Sequence, residues 1–236
     1  MENGLKIAGF IETSLVDWDG KISSVVFLSR CNFRCVFCHN HDLFSEDGLE
    51  SIGEDTILET LKRNKDWIDG LVISGGEPTL QGEALISFIR KIKEAGFLVK
   101  LDTNGTNPRL LKKLLDEKLI DYVAMDIKTS LSPKKYSKVT GKPDNLENIK
   151  ESIKLLKNSD IDYEFRTTVV PTLTSKKDIL NIAEFIKDCK RYVLQQYNPK
   201  NAFNPDFRSI KPYNEKTLSF LAKEANKFVK TDLRLR

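Results

Sequence analysis

The sequence predicts an α/β fold, a parallel sheet covered by helices, and three observations predict it. Strand-like and helix-like segments alternate at a spacing of roughly 25 to 40 residues. The strand segments are short, apolar or β-branched, and bounded by turn residues. The helical segments carry one-sided apolar stripes with marked ends. Parallel strands need crossover connections, so this alternation places helices outside the sheet.

In chain order the strand segments are SSVVFLS at 23–29, GLVIS at 70–74, FLVKLDT at 97–103, DYVAMDIK at 121–128, YEFRTTVV at 163–170 and RYVLQQY at 191–197. Between them, Leu85, Ile86, Ile89 and Ile92 form one helical stripe, and Leu110, Leu111, Leu114 and Leu115 form another. Gly96 closes the first of these helices, Asn107 and Pro108 open the second, and Ser175 with Asp178 reads as a capping box. A last helix is expected over about 214–229, with Leu218, Leu221, Ala225 and Phe228 on one face. Six βα units fit either an open doubly wound sheet or an incomplete barrel, being too few for the closed eight-stranded form. In both architectures ligands gather at the carboxyl ends of the strands. A chain of 236 residues, 40% hydrophobic, suits a single domain over 1–236 with its core at about 20–200.

No stretch reaches the ~18 apolar residues of a membrane span, and MENGLKIAGF lacks a basic region followed by an apolar run, so the expected location is cytoplasmic. The formal net charge of +4 is spread without a basic block, a balance that permits nucleic acid but does not point to it. Four cysteines in a cytosolic chain point to metal or reactive roles rather than to disulfides.

Three of them, Cys31, Cys35 and Cys38, lie in SRCNFRCVFCHN directly after the first strand segment, so one loop can present three thiolates to one centre. Thiolates suit iron–sulfur clusters and zinc alike. Structural zinc usually takes two separated pairs, and no second Cys-x-x-Cys exists here; a zinc knuckle completed by His39, His41 or Cys189 is the other reading. Cys189 by itself reads as a buried free thiol, and one spare cysteine cannot hold a second cluster. The spacing C-x3-C-x2-C, with Phe37 before the last cysteine, resembles the signature of the radical S-adenosylmethionine superfamily. That resemblance implies one [4Fe-4S] cluster on Cys31, Cys35 and Cys38, with an open iron for S-adenosylmethionine.

The other strand ends carry polar groups. Gly75-Gly76-Glu77-Pro78 ends the second, where paired glycines admit a ligand to the backbone and the carboxylate can accept from an ammonium. Asp102-Thr103-Asn104-Gly105 ends the third and Asp126-Ile127-Lys128 the fourth, while Arg166 lies in the fifth. Read singly, each is equally a turn or a surface charge. Together they resemble the glycyl-radical-enzyme activases, and the resemblance implies cofactor contacts from Phe37, Cys38, His39, Gly75, Gly76, Glu77, Asp126, Ile127, Lys128 and Arg166. It puts Asp102 nearby, beside a monovalent cation. The fold so implied is an incomplete (β/α)6 barrel. The opening GFIETSLVDWDGKISSVVFLSRCNFRCVFCHN looks like the branch that activates anaerobic ribonucleoside-triphosphate reductase, which implies a glycyl radical enzyme as protein partner and an external electron donor such as flavodoxin or ferredoxin. Two departures stand out: Asn198 falls where pyruvate formate-lyase activase has histidine, and Arg30 where glycine is common. The rival readings are a radical enzyme acting on a small molecule or RNA nucleoside, and a non-enzymatic zinc or iron–sulfur module. For the loop PKNAFNPDFRSIKPYN, substrate contact and plain surface cover are both open.

Overall fold

The computed structural model describes residues 4–142 and 146–235. The ends of the domain expected over 1–236 thus lie outside the described residues. Two compact units are present: Met1–Asn32, Asp42–Thr103 and Arg109–Val123 form one, and Phe33–His41, Asn104–Pro108 and Ala124–Arg236 the other.

In the first unit the chain runs β1 (Ile7–Ser14), β2 (Ser23–Leu28), α1 (Glu54–Arg63), β3 (Gly70–Gly75), α2 (Gly82–Glu94), β4 (Leu98–Thr103) and α3 (Pro108–Asp116). Strands β2, β3 and β4 are parallel, with Val25 opposite Val72 and Val72 opposite Lys100, while β1 joins β2 antiparallel. The central strands are apolar on both faces because both faces are covered: Val25, Val26, Leu71, Val72, Ile73, Val99 and Leu101 are buried. Val25 and Val72 pack with Trp18, Phe27, Leu98 and Tyr122 in one cluster. The expected α2 stripe of Leu85, Ile86, Ile89 and Ile92 is wholly buried, each residue contributing about 2 kcal/mol. Gly96 follows the helix at φ +87, a conformation glycine adopts without the steric cost of a Cβ. The sequence reading missed β1, whose central residues Ile11, Glu12 and Thr13 are exposed, so no inward-facing alternation marks it.

β5 (Tyr122–Asp126) is divided at Val123. The second unit continues with α4 (Pro133–Thr140), α5 (Leu146–Lys157), β6 (Asp162–Val169), α6 (Lys176–Phe185), β7 (Tyr192–Gln196), α7 (Glu215–Ala225) and β8 (Thr231–Arg234). β6, β7 and β8 are parallel. The capping box at Ser175 and Asp178 is formed. The last helix stops at Ala225 instead of continuing to Val229: Asn226 caps it, and its side-chain oxygen accepts from Thr231 N–H at 3.0 Å, turning the chain into β8. Phe228, expected on the buried face, is accordingly exposed. β8 was not foreseen either, since the segment TDLR that pairs with β7 carries charged residues and no apolar run. Arg234 forks onto the buried Glu164 at 3.0 and 3.3 Å, and Asp232 accepts from Arg191 at 2.7 Å. Among the described residues no helix is long and apolar enough to cross a membrane.

Candidate functional site

In the first unit, three strand ends carry the residues singled out by the sequence. Beyond β2 the chain passes Ser29 and Arg30 to Cys31, and Arg30 has φ +70, in the left-handed region. The departure from glycine at this position therefore falls where glycine would be unstrained. Beyond β3, Gly76 N–H donates to Leu28 O and Glu77 N–H to Arg30 O, both at 2.8 Å. The fit leaves no room for side chains: a Cβ at Gly75 would stand 2.3 Å from Leu28 N, and one at Gly76 would stand 2.1 Å from Arg30 O and 3.3 Å from the Cys31 Cβ. The two glycines thus seat the turn directly against the residues leading into Cys31.

Glu77 is fully buried. Its Oε1 accepts from Thr79 N–H at 3.1 Å, from the Thr79 hydroxyl at 2.6 Å and from the Thr103 hydroxyl at 2.7 Å, capping the short helix Pro78–Gln81. Gly75 and Gly76 beside it are half-buried. Asp102, at the end of β4, accepts from the Ser74 hydroxyl at 3.2 Å. Lys100 stands beside it, a buried ammonium 3.6 Å from its Oδ1 and 5.6 Å over the Tyr122 ring.

The second unit holds Cys35, Phe37, Cys38 and His39. Cys35 and Phe37 are buried, Cys38 is half-buried and His39 exposed. Burial pushes the Cys38 thiol up, and the charge of Lys128 opposes that rise. Lys128 lies at the end of β5, where Asp126 sits between two cations: Arg166 Nε and Lys128 Nζ are each 2.9 Å from one of its oxygens. Burial works to raise the Asp126 carboxyl, but Arg166 and then Lys128 outweigh it and hold the group below the usual carboxylate range. For Lys128, burial works downward, and Asp126 together with Cys35 drives the ammonium above its ordinary value. Ile127 is buried with its backbone engaged, its N–H on Arg166 O and its carbonyl accepting from the Thr167 hydroxyl, both at 2.8 Å. Two cations thus stand around one carboxylate, and the charge of Lys128 is coupled to Cys35 and Cys38.

Tyr136, on α4, escaped the sequence reading because nothing in PKKYSKVTG marks it. Its buried hydroxyl accepts from Lys128 N–H at 3.2 Å, and its ring meets Phe33 edge-on at 6.2 Å. The same helix end holds the cysteine loop: Arg34 N–H donates to Thr140 O at 2.6 Å, and Gly141, at φ +65, passes so close that a Cβ would stand 2.8 Å from Arg34 O. Asn198 turns its side chain to Lys200 N–H, while its carbonyl meets the His39 ring. Cys189 is buried, its thiol pushed up to about 11 by that burial.

Three thiols within eight positions of the sequence are a donor set that suits an iron–sulfur cluster, and in the second unit the Lys128 charge reaches Cys35 and Cys38 while Phe37 between them is buried. Among the described residues no group of three or more His, Cys, Asp or Glu side chains that could hold a metal ion is present.

Comparison with known proteins adds the family context. A model described as the Radical SAM superfamily matches residues 25–186. A protein of Methanocaldococcus jannaschii whose name places it among the glycyl-radical enzyme activating enzymes is 38% identical over 227 residues, covering 94% of this chain and 92% of its own length. The pyruvate formate-lyase-activating enzyme of Clostridium pasteurianum is 34% identical over 181 residues, covering 75% of this chain and 74% of its own. Among solved structures, Streptococcus suis SuiB aligns with a TM-score of 0.68 at 16% identity over 88% of this chain and 47% of its own, so the chain spans about half of that protein. That likeness is one of fold, and it agrees with the parallel α/β architecture expected from the sequence.

Proposed function

The chain belongs to the radical SAM superfamily, in the family of glycyl-radical enzyme activating enzymes, and from that premise we propose that it installs a glycyl radical on anaerobic ribonucleoside-triphosphate reductase. Cys31, Cys35 and Cys38 hold one [4Fe-4S] cluster in this reading. When bound, a cluster and S-adenosylmethionine would supply the radical chemistry that removes a hydrogen atom from a backbone glycine of the partner, with one electron from a donor such as flavodoxin or ferredoxin. The protein's part is to bind, orient and keep out water. Lys128 and Arg166 receive the carboxylate of the methionyl group, and Asp126 keeps both cations in place while its remaining acceptor capacity serves a hydroxyl or ammonium. Gly75 and Gly76 let the backbone lie against the ligand, with Glu77 fixing their turn. Asp102 lies nearby with Lys100 as its counter-charge, and Phe37, His39 and Ile127 line the approach.

The observation that carries this reading is the Lys128 ammonium, held 2.9 Å from Asp126 and near enough to Cys35 and Cys38 for its charge to act on both thiols. A second reading, that the partner is a pyruvate formate-lyase, is favoured by the relative of that name at 34% identity. The test is electron paramagnetic resonance on the reduced, reconstituted chain with S-adenosylmethionine and each purified partner. A glycyl doublet on the reductase supports the first reading, and a doublet on the lyase alone replaces it with the second. Cleavage of S-adenosylmethionine with no doublet on either would sink both.

A further inference from the structure

The segment after β7 does not behave as a plain surface loop. Phe203 N–H donates to Cys38 O at 3.0 Å and Asn204 N–H to Val36 O at 2.9 Å. Asn201 donates from Nδ2 to His39 O at 3.2 Å, and its Oδ1 accepts from His41 Nε2 at 3.2 Å. The His39 ring donates in turn to Asn198 O, and the His41 ring packs 5.8 Å from that of Phe203. The carbonyls of Val36, Cys38 and His39 are therefore all engaged from one side. From the other side, α4 takes the N–H of Arg34 on Thr140 O. The segment is itself anchored: Ala202 is fully buried, Arg208 Nε donates to Ala202 O at 2.8 Å, and the Tyr197 hydroxyl donates to Phe207 O at 2.7 Å.

We propose that residues 198–204 form a positioning strap that sets the main-chain shape of the Cys35–Cys38 turn before any metal arrives, with Asn201 as its positioning residue. A metal loop without such support must be ordered at the moment of binding, and that cost is taken out of affinity. Asn201 also has φ +56, a conformation that asparagine tolerates and glycine adopts freely. Asn201→Gly thus removes the side chain without straining the backbone, and Asn201→Asp keeps the acceptor for His41 while deleting the donor to His39 O.

The experiment is hydrogen exchange by mass spectrometry on the metal-free chain. Loss of one or two hydrogen bonds should speed exchange in peptide 33–41 about tenfold in Asn201→Gly and several-fold in Asn201→Asp, with peptide 98–103 unchanged. Exchange over 33–41 equal to wild type in both variants would overturn the strap, as would an equal rise across the whole chain. A second arm rests on the cluster reading: after anaerobic reconstitution, a ferrous chelator should strip iron from Asn201→Gly about tenfold faster than from wild type. Equal stripping rates would also count against the strap. A wild-type chain that takes up no iron would sink the cluster and leave the exchange result to decide the strap.

Discussion

Replacing Gly76 by alanine tests how closely the β3 turn is fitted to the cysteine loop. The added methyl would stand 2.1 Å from the Arg30 carbonyl oxygen and 2.7 Å from its carbon, both backbone atoms that cannot swing aside. The two chains must part by about 1 Å to reach ordinary contact. That movement breaks the 2.8 Å bond from Glu77 N–H to Arg30 O and shifts the residue next to Cys31. Overpacking costs about 2 kcal/mol and the hydrogen bond about 1, for an expected loss of about 3 kcal/mol. Gly82 supplies the control, since it has φ +55 and no atom within 4 Å of an added Cβ. Alanine there meets only backbone strain, about 1 to 3 kcal/mol at φ +55 and ψ −127. Urea midpoints at equal slope give the two stabilities, and iron content after anaerobic reconstitution reports the displacement of Cys31. Gly76→Ala should lose about 3 kcal/mol and most of its iron, while Gly82→Ala keeps its iron. A Gly76→Ala protein as stable as wild type, or one carrying full iron, would refute the reasoning.

Asp126→Asn leaves the buried Arg166 guanidinium beside a neutral amide, so calorimetry should show a loss of about 3 kcal/mol; a change below measurement would mean that the pair is not a structural anchor. Asp178 has its carboxyl lowered to about 2: burial pushes it up, but hydrogen bonds from Lys135, Ser175 and Ser130 prevail. A depressed acid stabilises the fold above its unfolded value of about 3.9 and loses that contribution as pH falls through its folded value, so the deficit of Asp178→Asn, about 2 kcal/mol at pH 6, should shrink steadily below about pH 4. A deficit independent of pH in urea titrations would contradict this assignment. Arg30→Gly should raise the melting temperature by about 2 to 4 °C, because glycine relieves roughly 1 kcal/mol of left-handed strain, and the exposed 4.0 Å contact of Arg30 with Glu46 forfeits little. A lower melting point would place Arg30 in a role its backbone does not reveal.

Local features were legible before any coordinates. The six strand segments fall on β2 to β7, since each is a short apolar or β-branched run bounded by turn residues. The capping box of α6 and the start of α3 at Pro108 are encoded within four residues, which is the reach of a helix hydrogen bond. The cysteine spacing was likewise complete within one loop. Sequence alone therefore determined the α/β class and which strand ends carry sulfur, carboxylate and ammonium, and left the order of the strands in the sheet open.

Tertiary structure decided what lies beyond that reach. The sequence offered Glu77 as an acceptor for an ammonium, and only the fold shows that its Oε1 also takes three donors from Thr79 and Thr103. β8 pairs with β7, and its Arg234 reaches Glu164, seventy positions away; nothing in TDLR signals either contact. The strap meets the cysteine turn through pairs such as His39 and Asn198, 159 positions apart. Periodicity and capping record the chain's own neighbours, whereas a hydrogen bond across such separations depends on where the folded chain returns.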